Sequence, residues 1–307
     1  MQPMDRRTAP SAPTATNWAS IGLLGVIWGG TFMVVAVALR GYGPLTVSAA
    51  RVTLGAAALL GLAVLLRRPF PVMTRRMAKY LVIIGVLNTA LPFTLLSWGQ
   101  QYVPSAFAGI SMAALPLFVL PLAHVFSDEP LSLRRLLGVT LGFAGAVVLV
   151  GPGILAIGEG MEPLGQIACV AAAISYAVAS IMTRRAPPID SIVFAALTLV
   201  VGTAFLLPGM LIVEGVPRFT ATLPGFAIIG LGLLPTALAA LLRVMVIRSA
   251  GSVFMTLVNY QVPLWAMLLG AVLLDEDLPL RFFVALAMIL AGLAVSQWNS
   301  LKRLLLR

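Results

Sequence analysis

The chain alternates between long apolar runs and short polar connections, and this alternation predicts its architecture. Each run holds about 20 predominantly apolar residues, the length that an α-helix needs to cross the hydrocarbon core of a bilayer. We identify ten such runs, with bounds good to a few residues, at 17–39, 44–66, 77–98, 104–126, 132–150, 162–184, 189–213, 223–247, 253–274 and 280–299. The connections are too short for a soluble domain. The pattern predicts an all-α polytopic membrane protein with ten transmembrane helices.

The composition agrees with this class and excludes several others. Hydrophobic residues make up 60% of the 307 residues and charged residues only 10%, whereas a soluble domain carries roughly a quarter charged residues. The net charge of +10 lies in short clusters between apolar runs, which is typical of topology determinants and not of a nucleic-acid surface. The single cysteine, Cys169, and the single histidine, His124, provide neither a disulfide framework nor a metal cluster. Since the sequence also has no phosphate-binding loop, we expect no enzyme and no cofactor.

The distribution of Arg and Lys predicts the orientation of the chain. With the N terminus inside, the inner segments hold sixteen of these residues and the outer segments three, as the positive-inside rule requires. Residues 1–16 form a Pro-, Ser- and Thr-rich cytoplasmic segment that we expect to be disordered, and residues 300–307 form a basic cytoplasmic tail. The first apolar run is too long for a signal peptide and lacks a cleavage site, so we interpret it as an uncleaved helix.

The two halves of the chain repeat one another. A shift of 147 residues overlays the fourth apolar run on the ninth; the matching pairs are Ser105 with Ser252, Phe107 with Phe254, Pro116 with Pro263, Asp128 with Asp275 and Glu129 with Glu276. We therefore divide the chain into repeat 1, residues 17–151, and repeat 2, residues 162–299, with five helices each. An odd number of crossings inverts the second repeat, and inverted repeats with a site at the midplane recur among secondary transporters. A duplication kept for packing alone is the alternative.

Three stretches resemble one family of carriers. These are WGGTF at 28–32, SLRRLLGVTLGFAGAVVLV at 132–150 and LRFFVALAMILAGLAV at 280–295. They are similar to the drug/metabolite transporter superfamily, in its ten-helix, two-repeat (EamA-type) branch, which includes bacterial exporters of amino acids, aromatic ones among them. The resemblance implies that helices one to four and six to nine surround a central cavity, which helices five and ten support from outside. Tyr176 stands in the place of Trp28 only after a slip of one residue.

Polar residues at mid-span mark a candidate substrate site, because such residues are expensive against lipid. On the ninth helix, for example, Asn259, Tyr260 and Pro263 share one face. An apolar wall with a few converging polar groups suits a small ligand. The alternative for any single Ser or Thr is a hydrogen bond between packed helices. The candidate substrate-binding residues are Trp28, Thr31, Asn88, Tyr176, Ser180, Thr256, Asn259 and Tyr260.

Two residues that can carry charge and four prolines complete the candidate set. Arg51 lies about two turns into the second helix, where it would either bind a substrate carboxylate or pair with a helix end. His124 lies near the inner end of the fourth helix, either as a pH-sensitive relay or as a solvated side chain. Mid-span prolines remove a helical hydrogen bond and bend the helix, with ordinary packing of bent helices as the alternative. The candidate hinges are Pro92, Pro116, Pro235 and Pro263.

Together these patterns predict a secondary transporter, a multi-pass protein of the bacterial cytoplasmic (inner) membrane. It would export small neutral or zwitterionic metabolites, above all amino acids, by alternating access through a cavity between the repeats. None of the ten Asp and Glu residues lies at mid-span, so a proton-coupled drug or metabolite antiporter is an alternative only, as is a channel-like pore. The expected partners are a small-molecule substrate and the lipid bilayer, without nucleic acid. The sequence leaves the oligomeric state open, and two repeats in one chain are compatible with a monomer.

Overall fold

The computed structural model describes residues 14–127, 132–151, 160–250, 252–255 and 257–298. These residues form helices joined by short connections and contain no strand. We number the helical segments in chain order: α1, Ala15–Leu39; α2, Pro44–Leu65; α3, Arg75–Gly85, a π turn at Val86–Ala90, and Leu91–Gly99; α4, Ser105–Ala113 and Leu115–Ser127; α5, Leu133–Val150; α6, Glu162–Arg185; α7, Ser191–Val213; α8, Leu223–Gly232, a π turn at Leu233–Leu238, and Ala239–Ala250; α9, Ser252–Met255 and Val258–Leu274; α10, Leu280–Ser296.

The predicted class, an all-helical membrane protein, is confirmed. Among the described residues, segments α1 to α8 are long and apolar enough to cross a membrane, whereas Val258–Leu274 and Leu280–Ser296 are shorter apolar helices. The number of ten crossings and the cytoplasmic position of both termini therefore stay predictions. Residues 1–13 and 299–307 lie outside the described residues. Ala15 and Thr16, which we expected before the first helix, form the beginning of α1.

Several helices begin where the sequence supplies a capping side chain. The hydroxyls of Thr14, Thr74 and Ser132 accept hydrogen bonds from backbone N–H groups at the starts of α1, α3 and α5. The Asp190 carboxylate does the same for α7. Such caps satisfy N–H groups that have no partner inside the helix. The polar residues of the connections therefore determine where these helices begin.

Eight of the helices pack in a cyclic order. Beginning at α1, the successive neighbours are α9, α4, α6, α3, α7, α2 and α8, and α8 packs back against α1. Helices of repeat 1 and repeat 2 alternate in this ring, so each of these neighbouring pairs joins the two repeats. The helices α5 and α10 pack against each other and contact the ring at α4. This agrees with the arrangement that the family resemblance implied.

The equivalent helices α2 and α7 run antiparallel to each other. At one end of the pair, Arg68 forms an ion pair with Asp190 at 3.6 Å. At the other end, the Glu214 carboxylate accepts hydrogen bonds from Leu45 N and Thr46 N, both at 2.8 Å. The end of each helix is thus bound to the start of the other. Antiparallel equivalents are the relation that an inverted repeat requires.

The helices α5 and α10 are also antiparallel equivalents, and small residues bring them close together. Gly138, near the start of α5, meets Gly292, near the end of α10. A Cβ atom on either glycine would lie 2.5 Å from the carbonyl oxygen of the other. Backbones this close gain dispersion contacts in a membrane, where burial of apolar surface provides little driving force between helices. A larger side chain at either position would separate the pair.

Three of the four mid-span prolines lie at interruptions of their helices. Pro92 is the second residue after the π turn of α3, and Pro235 lies inside the π turn of α8. Pro116 follows the break between the two halves of α4. Pro263 lies within a helix that continues through it. Three of the prolines therefore mark places where a helix departs from regular α-helical geometry. The role of the four prolines as hinges stays a prediction.

Candidate functional site

A partly buried positive charge on α2 is the main feature of the candidate site. The Cζ atom of Arg51 lies 4.0 Å from the centroid of the Phe93 ring on α3, which is a cation–π contact. The Arg51 Nε atom is buried and has no hydrogen-bond partner among the described residues. No described carboxylate forms an ion pair with this guanidinium. Because removing a charge from water without a counter-ion is costly, the position suits a negatively charged ligand group.

Repeat 2 contributes an aromatic side chain to the same place. The ring of Tyr176 on α6 meets the Phe93 ring edge-on, with centroids 6.5 Å apart and an interplanar angle of 60°. Phe93 therefore contacts both Arg51 and Tyr176. The helices α2, α3 and α6 therefore bring one cation and two aromatic rings together. The group combines residues of both repeats.

Trp28 on α1 is held by a hydrogen bond across the repeat boundary. Its indole Nε1 donates to the carbonyl oxygen of Pro235, in the π turn of α8, at 3.2 Å. A π turn places backbone carbonyls outside the regular α-helical pattern, and the indole satisfies one of them. The side chain is only partly buried. This hydrogen bond fixes the orientation of the Trp28 side chain, which we predicted to form an apolar wall of the site.

The predicted site includes three residues of α9, and two of them lie within the described part of the chain. Asn259 and Tyr260 are partly buried, and the Tyr260 hydroxyl is buried without a hydrogen-bond partner among the described residues. Thr256 lies outside the described residues. Gln261 and Trp265, which lie on the other side of the helix wheel, pack against glycines of α1. Both side chains therefore contact a neighbouring helix.

The remaining predicted residues differ in how available their polar groups are. Thr31 is buried, and its hydroxyl donates to Ile27 O of the same helix at 2.9 Å. Ser180 is partly buried, and Asn88, in the π turn of α3, is exposed. His124 is exposed near the end of α4. The described contacts do not bring these side chains to the cation on α2, so their roles stay predictions. No group of described His, Cys, Asp and Glu side chains could hold a metal ion.

Two residues of this region escaped the sequence analysis. Phe93 is one apolar residue among many in its run, and only the packing of α3 beside α2 shows that it covers Arg51. Ser175 donates to the carbonyl oxygen of Leu87, in the π turn of α3, at 2.7 Å. Since Ser175 lies 147 residues after Trp28, the repeat offset was a signal that could have identified it.

The sequence matches one transporter family in both halves. The match covers residues 17–151 and residues 163–297. The chain belongs to the EamA-like transporter family. As an EamA-like transporter it carries two copies of the family's unit in one chain, and it is a multi-pass membrane protein. The superfamily indicated by WGGTF and by the final helix of each repeat is thereby confirmed.

Several relatives of this EamA-like transporter are also named as transporters. It is 23% identical to the uncharacterized transporter YoaV of Bacillus subtilis, over 92% of this chain and 98% of the relative. It is 29% identical to the uncharacterized inner membrane transporter YedA of Escherichia coli K12, over 86% and 85%. It is 28% identical to a probable terminal-alkyne amino-acid exporter of Streptantibioticus cattleyicolor, over 93% and 94%. A solved protein structure of 20% identity has the same fold, with a TM-score of 0.66 over 95% of this chain and 99% of its own.

Proposed function

We propose that this EamA-like transporter is a secondary carrier that exports small neutral or zwitterionic metabolites, most of all amino acids, across the bacterial cytoplasmic membrane. The observation that carries the proposal is Arg51, a guanidinium among aromatic rings of both repeats with no described carboxylate partner. The name of one relative, a probable terminal-alkyne amino-acid exporter, supports the substrate class. The name of another, an inner membrane transporter, supports the location.

A substrate carboxylate would supply the anion that Arg51 lacks. Arginine presents its N–H groups as a planar fork, which matches a carboxylate through two parallel hydrogen bonds. Such a charge-assisted pair is stronger where water is excluded. The rings of Phe93 and Tyr176, next to the guanidinium, would contact an apolar part of the same ligand. The arrangement favours a carboxylate attached to an apolar or aromatic side chain, and therefore amino acids of that kind.

The α1–α9 pair offers further groups for the same substrate. These helices are direct neighbours and belong to opposite repeats. On α9, Asn259 and the Tyr260 hydroxyl, which has no described partner, would bind the polar head. On α1, Trp28 would form an apolar wall, with its indole fixed on Pro235 O. Because the groups come from both repeats, a change in how the repeats meet would alter access to the substrate, as alternating access requires.

Transport by the purified protein in proteoliposomes tests this function. Vesicles are loaded with radiolabelled amino acids from a panel, and both efflux and counterflow are measured. We expect saturable transport with trans-stimulation, strongest for apolar and aromatic amino acids, because a carrier re-exposes one site in each cycle. Flux that neither saturates nor shows trans-stimulation would indicate a pore. No flux for any amino acid would contradict the substrate class.

The variant Arg51→Gln distinguishes carboxylate binding from packing. A charge-assisted bond contributes about 1.5–3 kcal/mol, so apparent affinity for L-phenylalanine should fall by roughly ten- to a hundredfold. Competition by L-phenylalaninamide, which lacks the carboxylate, should be the same in variant and parent. Arg218→Gln is the matched control, because Arg218 is exposed in the connection between α7 and α8. Unchanged affinity of Arg51→Gln for L-phenylalanine would contradict the assigned role.

A further inference from the structure

Two π turns occupy equivalent places in the two repeats. They lie at Val86–Ala90 in α3 and at Leu233–Leu238 in α8. A shift of 147 residues places the start of the first on the start of the second. The surrounding sequences, GVLNTAL at 85–91 and GLLPTAL at 232–238, have five of seven residues in common. Since π turns are rare and occur frequently at functional sites, their recurrence argues that the turn is a property of the repeat and not of one helix.

The turn of α3 packs on α7, which belongs to the other repeat. A Cβ atom on Gly85 would lie 2.6 Å from the Cβ atom of Val201. One residue further along α7, a Cβ atom on Gly202 would overlap the hydroxyl of Thr89. Both glycines therefore allow an approach that any other residue would prevent. The turn is fitted closely to one stretch of α7.

The turn of α8 packs on α2 in the same manner. A Cβ atom on Gly232 would lie 2.5 Å from the Cβ atom of Leu54, and a Cβ atom on Gly55 would overlap the methyl group of Thr236. Each of these four residues is 147 positions from its counterpart at the α3 turn. The same contact is thus made twice, with the repeats exchanged. Each turn lies against the second helix of the opposite repeat.

The first helix of the opposite repeat supplies a hydrogen bond to each turn. Trp28 on α1 donates to Pro235 O in the turn of α8 at 3.2 Å. Ser175 on α6 donates to Leu87 O in the turn of α3 at 2.7 Å. The two donors are again 147 residues apart. The contacts described for each turn therefore include two helices of the other repeat: α1 and α2 for α8, and α6 and α7 for α3.

The two turns differ in the hydrogen bond of their threonine. The hydroxyl of Thr89 donates to Gly85 O, four residues earlier, which is the spacing of an α-helix. The hydroxyl of Thr236 donates to Leu231 O at 3.0 Å, five residues earlier, which is the spacing of a π-helix. Both turns have the π backbone register, so the difference between them is confined to the threonine side chain. A change of such a turn from the π to the α backbone register would displace one half of its helix by one residue, a rotation of about 100°.

We propose that the two π turns are the paired hinges of the transport cycle, and that Trp28 and Ser175 are positioning residues that tie each hinge to the opposite repeat. The inference rests on the proposed carrier function. Because α1 and α2 hold the turn of α8, a movement of repeat 1 acts directly on the hinge of repeat 2. The same holds for α6 and α7 with the turn of α3. The two hinges are thereby coupled.

Distance measurements across the α8 turn test the hinge without a substrate. Spin labels are attached at Leu223→Cys and Met245→Cys, two exposed positions on either side of the turn, in a Cys169→Ala background. Pulsed electron paramagnetic resonance in liposomes is suitable, because 1.5 Å per residue places the labels about 33 Å apart. We expect two distances that differ by about 3 Å, because a displacement by one residue combines a rise of 1.5 Å with a rotation of about 100° that carries one label around the helix axis. One narrow distance in the parent protein would overturn the proposal.

The variant Gly55→Ala tests the contact between α2 and the α8 turn. Its added methyl group would meet the methyl group of Thr236, so we expect the two distances to collapse into one. The second change Thr236→Ser removes that methyl group, keeps the hydroxyl and should restore both distances. Gly61→Ala is the matched control on α2, because a Cβ atom there meets nothing within 4 Å. Two distances in Gly55→Ala, or no restoration by Thr236→Ser, would overturn the hinge.

Hydrogen exchange tests the ties from the opposite repeat. We expect Ser175→Ala to speed amide exchange at 86–91 about fivefold, and Trp28→Phe to do the same at 233–238, which corresponds to ~1 kcal/mol at 1.4 kcal/mol per tenfold. The matched controls are Thr183→Ala, whose hydroxyl bonds within α6, and Trp298→Phe, at an exposed position. Unchanged exchange at both turns would overturn the ties. Absence of amino-acid transport would contradict the proposed function only, since neither measurement uses a substrate.

Discussion

Glu276 binds the end of α9 to the start of α4, and its removal should destabilise the protein by a measurable amount. The carboxylate accepts hydrogen bonds from Ser105 N and Ala106 N at 2.7 and 3.1 Å. These N–H groups belong to the first turn of α4 and have no partner inside the helix. Ser105 and Ala106 are 1% and 0% exposed, so Glu276→Ala would leave two buried donors without an acceptor.

The magnitude follows from the two lost bonds. Replacing a helix-capping residue by alanine costs about 0.5–2 kcal/mol, and an unsatisfied buried polar group costs about 1–3 kcal/mol. We therefore expect Glu276→Ala to lower the free energy of unfolding by ~2–3 kcal/mol, at or just above the upper end of the capping range because two bonds are lost. With an unfolding entropy of about 2.1 cal/mol/K per residue and 307 residues, the melting temperature should fall by about 3–5 °C.

A thermal-shift series on the purified protein checks this value. Asp277→Ala is the matched control, because Asp277 is exposed one residue away, and it should melt like the parent. Glu276→Gln keeps one acceptor without the charge and should show about half of the effect. Glu214→Ala removes the corresponding pair of bonds at the start of α2, and the two losses should add because the caps share no partner. Equal melting of Glu276→Ala and Asp277→Ala would refute the reasoning.

Three further predictions concern the site, the topology and the driving force. Asn259→Ala should weaken apparent substrate affinity by roughly ten- to a hundredfold with normal melting, whereas normal affinity with lowered melting would assign Asn259 to packing. In intact cells, an impermeant thiol reagent should label Asp277→Cys and not Ser132→Cys in a Cys169→Ala background; equal labelling would contradict the inverted orientation. Transport in proteoliposomes should survive an uncoupler, since no carboxylate lies at mid-span, and its abolition would show proton coupling.

The helices and the repeat could be predicted because the membrane imposes them. A crossing segment needs about 20 apolar residues and must satisfy its backbone internally, so the apolar runs give the helices almost directly. The helix α1, for example, ends at Leu39 as predicted and begins two residues before the predicted start at Asn17. The offset of 147 residues likewise identifies α2 with α7, and the structure shows these equivalents packed antiparallel.

The site was less predictable, because helical periodicity gives the face of a residue and not its neighbour. Their positions within apolar runs made Arg51 and Tyr176 candidates for the site. The contacts of Phe93 with both side chains depend on how α3 packs against α2 and α6, which a helical wheel of one segment does not contain. The π turns were missed for a related reason: their contacts with Gly55 and Gly202 lie on other helices. Only the recurrence of a glycine and a threonine at the same spacing in both repeats marked them in the sequence.

The alternation of repeats around the ring limits how this transporter can open. In a carrier whose two halves are separate bodies, the halves can rock against each other along one interface. Here each neighbour of a repeat-1 helix in the ring belongs to repeat 2, so rigid rocking would have to break many closely fitted contacts at once. Bending within helices avoids this, because one half of a helix can move while the other half keeps its neighbours. The interruptions of α3, α4 and α8 lie within their spans, which is where such bending needs them.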